Sequence, residues 1–255
     1  METILLLIGA GFLAGAMNAV AGGGTFVALP ALAFMGLAPT VANASSTVAL
    51  FPGTLVSTWA YRDDIRPLGS ASTRILLALS LAGGLIGAVM LLVTSERILS
   101  VLVPWLLLLA LLVLAAGPRL AAFLPKLGLR AGPRFLLVSQ FGLGIYGGYF
   151  GGAVGLMMLA TWSVAATADL RAMNPLKTAL VAAANGVAVV CFAVTGNVSW
   201  RETVVVMAGG VVGGFVGAQL GRHLSSALLR GLILAIATAT TAIYFARVYF
   251  GGLSG

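Results

Sequence analysis

Two clusters of glycines are the strongest indication in this sequence that the protein binds a ligand. The first cluster, with the residue after it, is Gly22, Gly23, Gly24 and Thr25, and the second is Gly151, Gly152 and Gly155. Glycine leaves the backbone free to turn, and a helix that begins after the turn presents free N–H groups and its positive dipole end. That arrangement suits an anion. The alternative is that these glycines only let helices pack closely.

Polar side chains follow each glycine cluster, at the start of the next predicted helix. They are Asn43, Ser45, Ser46 and Thr47 in the first half, and Asn174 and Lys177 in the second half. Their hydroxyl and amide groups could contact an anion. The alternative is helix capping, with Asn43 or Ser45 as an N-cap and with Asn174 as an N-cap followed by Pro175.

Lys177 is the polar residue that helix capping explains least well. It lies inside a predicted apolar helix, and Asp169 is its only nearby acidic neighbour in the sequence. A charge inside a membrane segment usually marks a transport pathway. The alternative is that the side chain extends to the lipid headgroups from the first helical turn. We favour anion binding for this residue.

Two further amides, Asn18 and Asn185, lie inside apolar segments. Each either bonds to a neighbouring helix or contacts the substrate, and we keep Asn18 among the candidate substrate-binding residues. The chain has one His and one Cys and no pair of carboxylates inside an apolar segment. Hydrolysis, redox chemistry and metal binding therefore have no candidate residues, and we expect no enzymatic activity, no cofactor and no metal.

The composition indicates an all-α polytopic membrane protein. Hydrophobic residues make up 60% of the chain and charged residues 8%, and the mean hydropathy is +1.11, whereas about a quarter of the residues of a soluble domain are charged. The net charge of +8 is spread over short loops, so it indicates orientation in the bilayer, not nucleic-acid binding. Predicted helices cover residues 3–21, 25–37, 44–60, 72–93, 98–116, 135–150, 153–168, 176–195, 202–221 and 227–248.

An internal repeat divides the chain. Gly83-Gly84-Leu85-Ile86-Gly87-Ala88 returns 130 positions later as Gly213-Gly214-Phe215-Val216-Gly217-Ala218. We predict a first transmembrane repeat over 1–116, a basic cytoplasmic linker over 117–134 and a second repeat over 135–255, each repeat with four segments. Two interrupted segments at matching places in two halves indicate a transport site.

The direction of the two repeats depends on how the glycine-broken segments cross the membrane. If each crosses once, the chain has eight spans and parallel repeats. If each is a re-entrant hairpin, the repeats are inverted, and most of the 14 Lys and Arg residues fall on one face. Because cytoplasmic loops are enriched in Lys and Arg, we favour inverted repeats, each opening with a glycine-broken re-entrant helical hairpin, and both termini outside.

The order of these motifs resembles the TauE/SafE family of sulfite exporters. The similar stretches include Gly11 to Gly15, Leu29 to Leu32, Ala42 to Ser46, Gly144 to Gly151, Ala172 to Lys177, Gly196 to Trp200 and Gly213 to Ala218. The resemblance implies a transporter of the inner membrane that exports sulfite, thiosulfate, sulfoacetate or related sulfonates. It also maps a lysine of the family onto Lys177, although Met173 to Leu176 before it depart from the family pattern.

We therefore expect a secondary transporter that exports small anions by alternating access between two repeats. The alternatives are a passive anion channel, and a membrane scaffold or assembly protein without a transported substrate. The expected partners are a small anionic substrate and the lipid bilayer, but no nucleic acid, and a homodimer is left open as the assembly.

Overall fold

The computed structural model describes residues 2–21, 23–69, 71–123, 132–165, 170–223 and 226–250. Within these ranges the chain is helical, apart from short turns and one isolated β-bridge between Leu68 and Ala71. The described helices are α1 (Glu2–Ala21), α2 (Thr25–Phe34), α3 (Pro39–Ala60), α4 (Thr73–Val93), α5 (Glu96–Phe123), α6 (Pro133–Tyr149), α7 (Val154–Ala165), α8 (Leu170–Val194), α9 (Trp200–His223) and α10 (Ser226–Phe245). A π-helical turn, Ala246–Phe250, follows α10.

Helix length and composition identify a multi-pass membrane protein. In the described ranges, five stretches are long and apolar enough to cross a membrane: Glu2–Ala19, Thr73–Val93, Glu96–Ala116, Ala172–Val194 and Gly231–Tyr249. The apolar helices α2 and α7 have 10 and 12 residues. At about 1.5 Å per residue neither can cross a hydrocarbon core of about 30 Å.

The capping roles considered for the polar clusters are wrong. Helix α3 begins at Pro39, after Ala38 in an extended conformation with ψ of 147°, because a residue before proline avoids the helical region and proline is favoured at the first helical position. Asn43 and Ser45 therefore lie inside α3. Likewise α8 already runs from Leu170, so Asn174 is an interior residue of that helix.

The predicted linker over 117–134 is partly helical. Helix α5 continues through Phe123, and α6 begins at Pro133. Residues 124–131 between them lie outside the described residues.

Helices α1 and α9 pack backbone against backbone. A Cβ atom at Gly11 would overlap the Val206 carbonyl oxygen, and one at Gly15 would overlap the Gly210 carbonyl oxygen. Small residues permit this approach, which is typical of helices in membranes. Residue numbers rise along both helices from the first contact, Gly11 with Val206, to the second, Gly15 with Gly210. The two helices therefore run in the same direction.

Helices α4 and α6 form a second backbone-to-backbone contact of this kind, and we call each of the two contacts a seam. A Cβ atom at Gly83 would lie 2.6 Å from the Phe141 carbonyl oxygen, and one at Gly87 would overlap the Ile145 carbonyl oxygen. These helices also run in the same direction. Each seam joins the two halves of the chain. Helix α9 of the second half packs on α1, which opens the first half, and α4 of the first half packs on α6, which opens the second half.

Helix α10 fixes the relative direction of the two seams. Ile233 lies next to Gly23 at the end of α1, whereas Arg247 shares a groove with Leu6 near the start of α1, so α10 runs opposite to α1. The Trp105 Nε1–H group in the first half of α5 donates to the Tyr249 hydroxyl at 2.8 Å, and that hydroxyl lies 3.4 Å from the carbonyl oxygen of Val101, nearer the start of α5. The end of α10 and the start of α5 therefore lie at the same end of the bundle.

Candidate functional site

The first glycine break packs against the middle of α1 and α3. A Cβ atom at Gly24 would lie 2.6 Å from the Ala14 carbonyl oxygen and 3.1 Å from both Asn18 and Leu50. The turn between α1 and α2 is thus held at the level of Leu50, halfway along α3. Gly22 lies outside the described residues. Thr25 begins α2 and is half-buried.

The second break separates α6 from α7 and has an unusual backbone. Gly151 has a φ of 76° and Ala153 a φ of 56°. Glycine adopts the left-handed region at little cost, but alanine does so at a cost of about 1–2 kcal/mol. The Phe150 ring occupies the space beside Gly152, where a Cβ atom would lie 2.6 Å from it. Strain of this kind is concentrated at functional sites.

Lys177 lies against the first turn of α7. A Cβ atom at Gly155 would be 3.1 Å from the Lys177 Cδ atom and 3.4 Å from its Cε atom, so this glycine leaves room for the lysine stem. The side chain is half-buried. Among the described residues, the ion pair that forms joins Arg62 to Asp63, and Lys177 has no such partner. Asp169 lies outside those residues.

The Lys177 stem and a helix N-terminus thus meet at the second break. The first turn of a helix has N–H groups without intrahelical partners and carries partial positive charge. A cation beside that end is unfavourable by itself, and an anion between the two groups would be stabilised by both.

Two asparagines reach the second break from other helices. The Asn43 Nδ2 group on α3 donates to the Tyr149 carbonyl oxygen at 2.8 Å. The Asn185 Oδ1 atom on α8 lies 3.8 Å from the position of a Cβ atom at Gly151. The sequence indicated a substrate contact as one option for Asn185 but gave no reason to connect Asn43 with residue 149, because these residues are far apart in the chain.

The crossing of α3 and α8 brings the two breaks to one level. The Phe51 ring lies 3.2 Å from the Cβ position of Gly186. Phe51 follows Leu50, which packs on the first break, and Gly186 follows Asn185, which packs on the second. Both breaks therefore flank the same crossing point.

The hydroxyl groups of the remaining candidate residues bond elsewhere. The Ser45 hydroxyl accepts the Ser199 N–H group at 3.0 Å, and the hydroxyls of Ser46 and Thr47 donate to the Asn43 carbonyl oxygen. The Asn174 carbonyl oxygen accepts the Thr178 hydroxyl. Of these contacts, the Ser45 bond connects α3 to the residue before α9, whereas the others lie within α3 or within α8.

One outer groove is separate from this site. It has a volume of about 340 Å³ and is lined mainly by apolar residues of α1, α2 and α10, together with Tyr244 and Arg247. It contains none of the candidate residues. In the described part of the chain, no three His, Cys, Asp or Glu side chains form a group that could hold a metal ion.

Comparison with known proteins gives one family. The model of the family described as sulfite exporter TauE/SafE matches residues 7–244. The chain is 27% identical over 249 residues to a Haemophilus influenzae protein named "Probable membrane transporter protein", with 95% of this chain and 94% of that protein covered. It is 24% identical over 243 residues to "Probable membrane transporter protein YfcA" of Escherichia coli, with 90% and 85% covered.

Proposed function

Because the chain belongs to the TauE/SafE sulfite exporter family, and is therefore a membrane transporter, we propose that it exports a small anion across the cell inner membrane. The substrate is an oxidised-sulfur anion or an organosulfonate, and transport is secondary. The observation that carries the anionic substrate is the position of Lys177 against Gly155 in the first turn of α7. Two sources of positive charge meet there without an acidic partner among the described residues.

The second element of the proposal is that the halves of the chain are inverted repeats. The seam of α1 with α9 and the seam of α4 with α6 support it, since each opening helix packs on a helix of the other half. The directions in which the helices run also support inverted repeats. Helix α4 ends where α5 begins, at the end of the bundle where α1 starts, so α6, parallel to α4, runs opposite to α1.

The third element is that each glycine-broken segment is a re-entrant hairpin. The short lengths of α2 and α7 support this. So does the outer groove, in which Leu6 from the start of α1 and Phe34 from the end of α2 lie together. Irregular backbone is tolerated at membrane depth where it lines a cavity or is buried in protein. Rocking of the two halves about these breaks would expose the anion to each side in turn.

The experiment is sulfite or sulfonate efflux from proteoliposomes that contain the wild-type chain or a Lys177→Met variant. Methionine keeps the length of the stem and removes the charge. We expect Lys177→Met to lower efflux at least tenfold. The matched control is Arg74→Met, which removes an exposed cation at the start of α4 and should leave efflux unchanged. Unchanged efflux in Lys177→Met with intact expression would place the site elsewhere.

A further inference from the structure

Three buried polar atoms lack hydrogen-bond partners in the part of the chain that the structure describes. They are the Asn43 Oδ1 atom, the Tyr146 hydroxyl and the Asn185 Oδ1 atom. Buried polar groups are nearly always hydrogen-bonded, so each such exception needs an explanation. These three come from α3, α6 and α8.

All three atoms belong to residues that form or touch the stretch 146–151. Asn43 bonds to Tyr149, and Asn185 lies next to Gly151. The Tyr146 carbonyl oxygen accepts the N–H groups of Phe150 and Gly151 just after α6, and the same residue carries an unpartnered hydroxyl. Three helices therefore bring residues that carry an unsatisfied polar atom to the second break.

The orientation of Asn43 is fixed. Its Nδ2 group donates to a carbonyl oxygen at 2.8 Å, and rotation of the amide by a half turn would place two acceptor oxygens against each other. Asn43 Oδ1 can therefore act only as an acceptor, because an amide oxygen has no proton to donate. A partner for it must carry an N–H or O–H group.

The other two groups are adaptable. A phenolic hydroxyl both donates and accepts, so Tyr146 can bond to an anion oxygen or to a donor. No described bond fixes the amide of Asn185, and it can present either its oxygen or its NH₂ group. Together with Lys177 on α8, whose stem packs beside Gly155 in the first turn of α7, the break offers positive charge and one obligate acceptor.

We propose that Asn43, Tyr146 and Asn185 form a subsite that selects anions carrying a hydrogen-bond donor. A hydroxyalkyl or aminoalkyl sulfonate, or a singly protonated oxyanion, meets this requirement. The negative group lies toward Lys177 and the α7 N-terminus, and the donor lies toward Asn43 Oδ1. This inference rests on the proposed anion transport and adds the chemical class of the substrate.

The test compares two sulfonates of equal heavy-atom number. In 2-hydroxyethanesulfonate a hydroxyl stands where 1-propanesulfonate has a methyl group. Binding to the purified full-length protein is measured by titration calorimetry, with sulfite as a third probe. We expect the hydroxyl compound to bind about tenfold more tightly, as one hydrogen bond to an otherwise unpaired group allows.

Two variants and a control assign that preference to the subsite. Tyr146→Phe should weaken 2-hydroxyethanesulfonate about fivefold and leave 1-propanesulfonate unchanged. Asn43→Leu should remove the preference for the hydroxyl compound. The control is Tyr249→Phe, whose hydroxyl accepts the Trp105 Nε1–H group at 2.8 Å away from the break, and it should keep the wild-type preference.

The outcomes separate this inference from the proposed function. Equal binding of the two sulfonates by the wild-type chain would overturn the subsite alone, whatever the variants do. Unchanged affinities in both variants would mean that ordered water alone satisfies the three atoms, and would also overturn it. If neither sulfonate nor sulfite binds, the anion-transport proposal and the subsite fail together.

Discussion

At the scale of single residues, the second break depends on positions where a side chain would cost free energy. Gly151 occupies the left-handed region with a φ of 76°, and the cluster around it was recognisable in the sequence because glycine is the residue that tolerates this conformation. Ala153, also left-handed, could not be foreseen, since nothing in an alanine indicates a positive φ.

Replacement of Gly151 by alanine should destabilise the protein. A Cβ atom in the left-handed region costs about 1–2 kcal/mol, although the nearest atom to that Cβ position is 3.4 Å away. The matched control is Gly142→Ala in α6, which has nothing within 4 Å and should be neutral or stabilising because alanine favours helix. Thermal unfolding in detergent compares the two. A Gly151→Ala variant at least as stable as Gly142→Ala would contradict the strained turn.

The polar residues show where sequence reasoning fails at this scale. Asn43 and Asn174 were considered as caps because each precedes an apolar stretch, whereas Pro39 carried the stronger signal for the start of α3. Tyr146 gave no signal at all. Its unpartnered hydroxyl depends on the tertiary packing of α6, which no local pattern contains.

At the scale of helices, the glycine motifs repeated at 83–88 and 213–218 are the small residues of two helix seams. Gly87 lies against the α6 backbone and Gly213 against the α1 backbone. The sequence shows that the motif is repeated and suits close packing. It could not show that each seam joins one half of the chain to the other, because the partner of a small-residue stripe is set by the whole bundle.

Replacement of a seam glycine by alanine should therefore lower the free energy of unfolding. In Gly213→Ala the new Cβ atom would overlap the Phe12 carbonyl oxygen, and backbone cannot move aside as a flexible side chain can. Overpacking of this kind typically costs about 1–3 kcal/mol, and a chain of this size loses about 2–4 °C in Tm per kcal/mol. Gly9→Ala in α1, with open space around the Cβ position, is the control. Equal melting temperatures of the two variants would show that the α1 and α9 backbones are not in contact.

At the scale of the whole molecule, an all-helical membrane protein followed directly from composition, whereas the path of the chain did not. The distribution of Lys and Arg over the loops favours inverted halves. The structure adds a physical reason for the proposal, since α10 opposes α1 and ends where α5 begins. The linker was harder to predict: α5 continues past Pro118 to Phe123, beyond the Gly and Pro that were expected to end it.

In the proposed topology, the turn between α4 and α5 and the turn after α3 lie on opposite faces of the membrane. Single cysteines at Ser95 and Asp64, both exposed, can be introduced in a Cys191→Ala background. We expect a membrane-impermeant maleimide to label Ser95→Cys in intact cells and Asp64→Cys only after permeabilisation, because cytoplasmic loops are enriched in Lys and Arg. Labelling of both positions from outside would require a different path of the chain.

The central claim, an anion held at the second break by Lys177 and the start of α7, is tested most directly by an experimental structure with selenite, using the anomalous signal of selenium. Hydrogen selenite carries negative charge and one O–H donor, as the proposed site requires. We predict a selenium peak beside Gly155 with a selenite oxygen within about 4 Å of the Lys177 Nζ atom, and we expect this peak to be absent in the Lys177→Met protein. A peak only in the outer groove at Arg247, or one that persists at the break without the lysine charge, would contradict it.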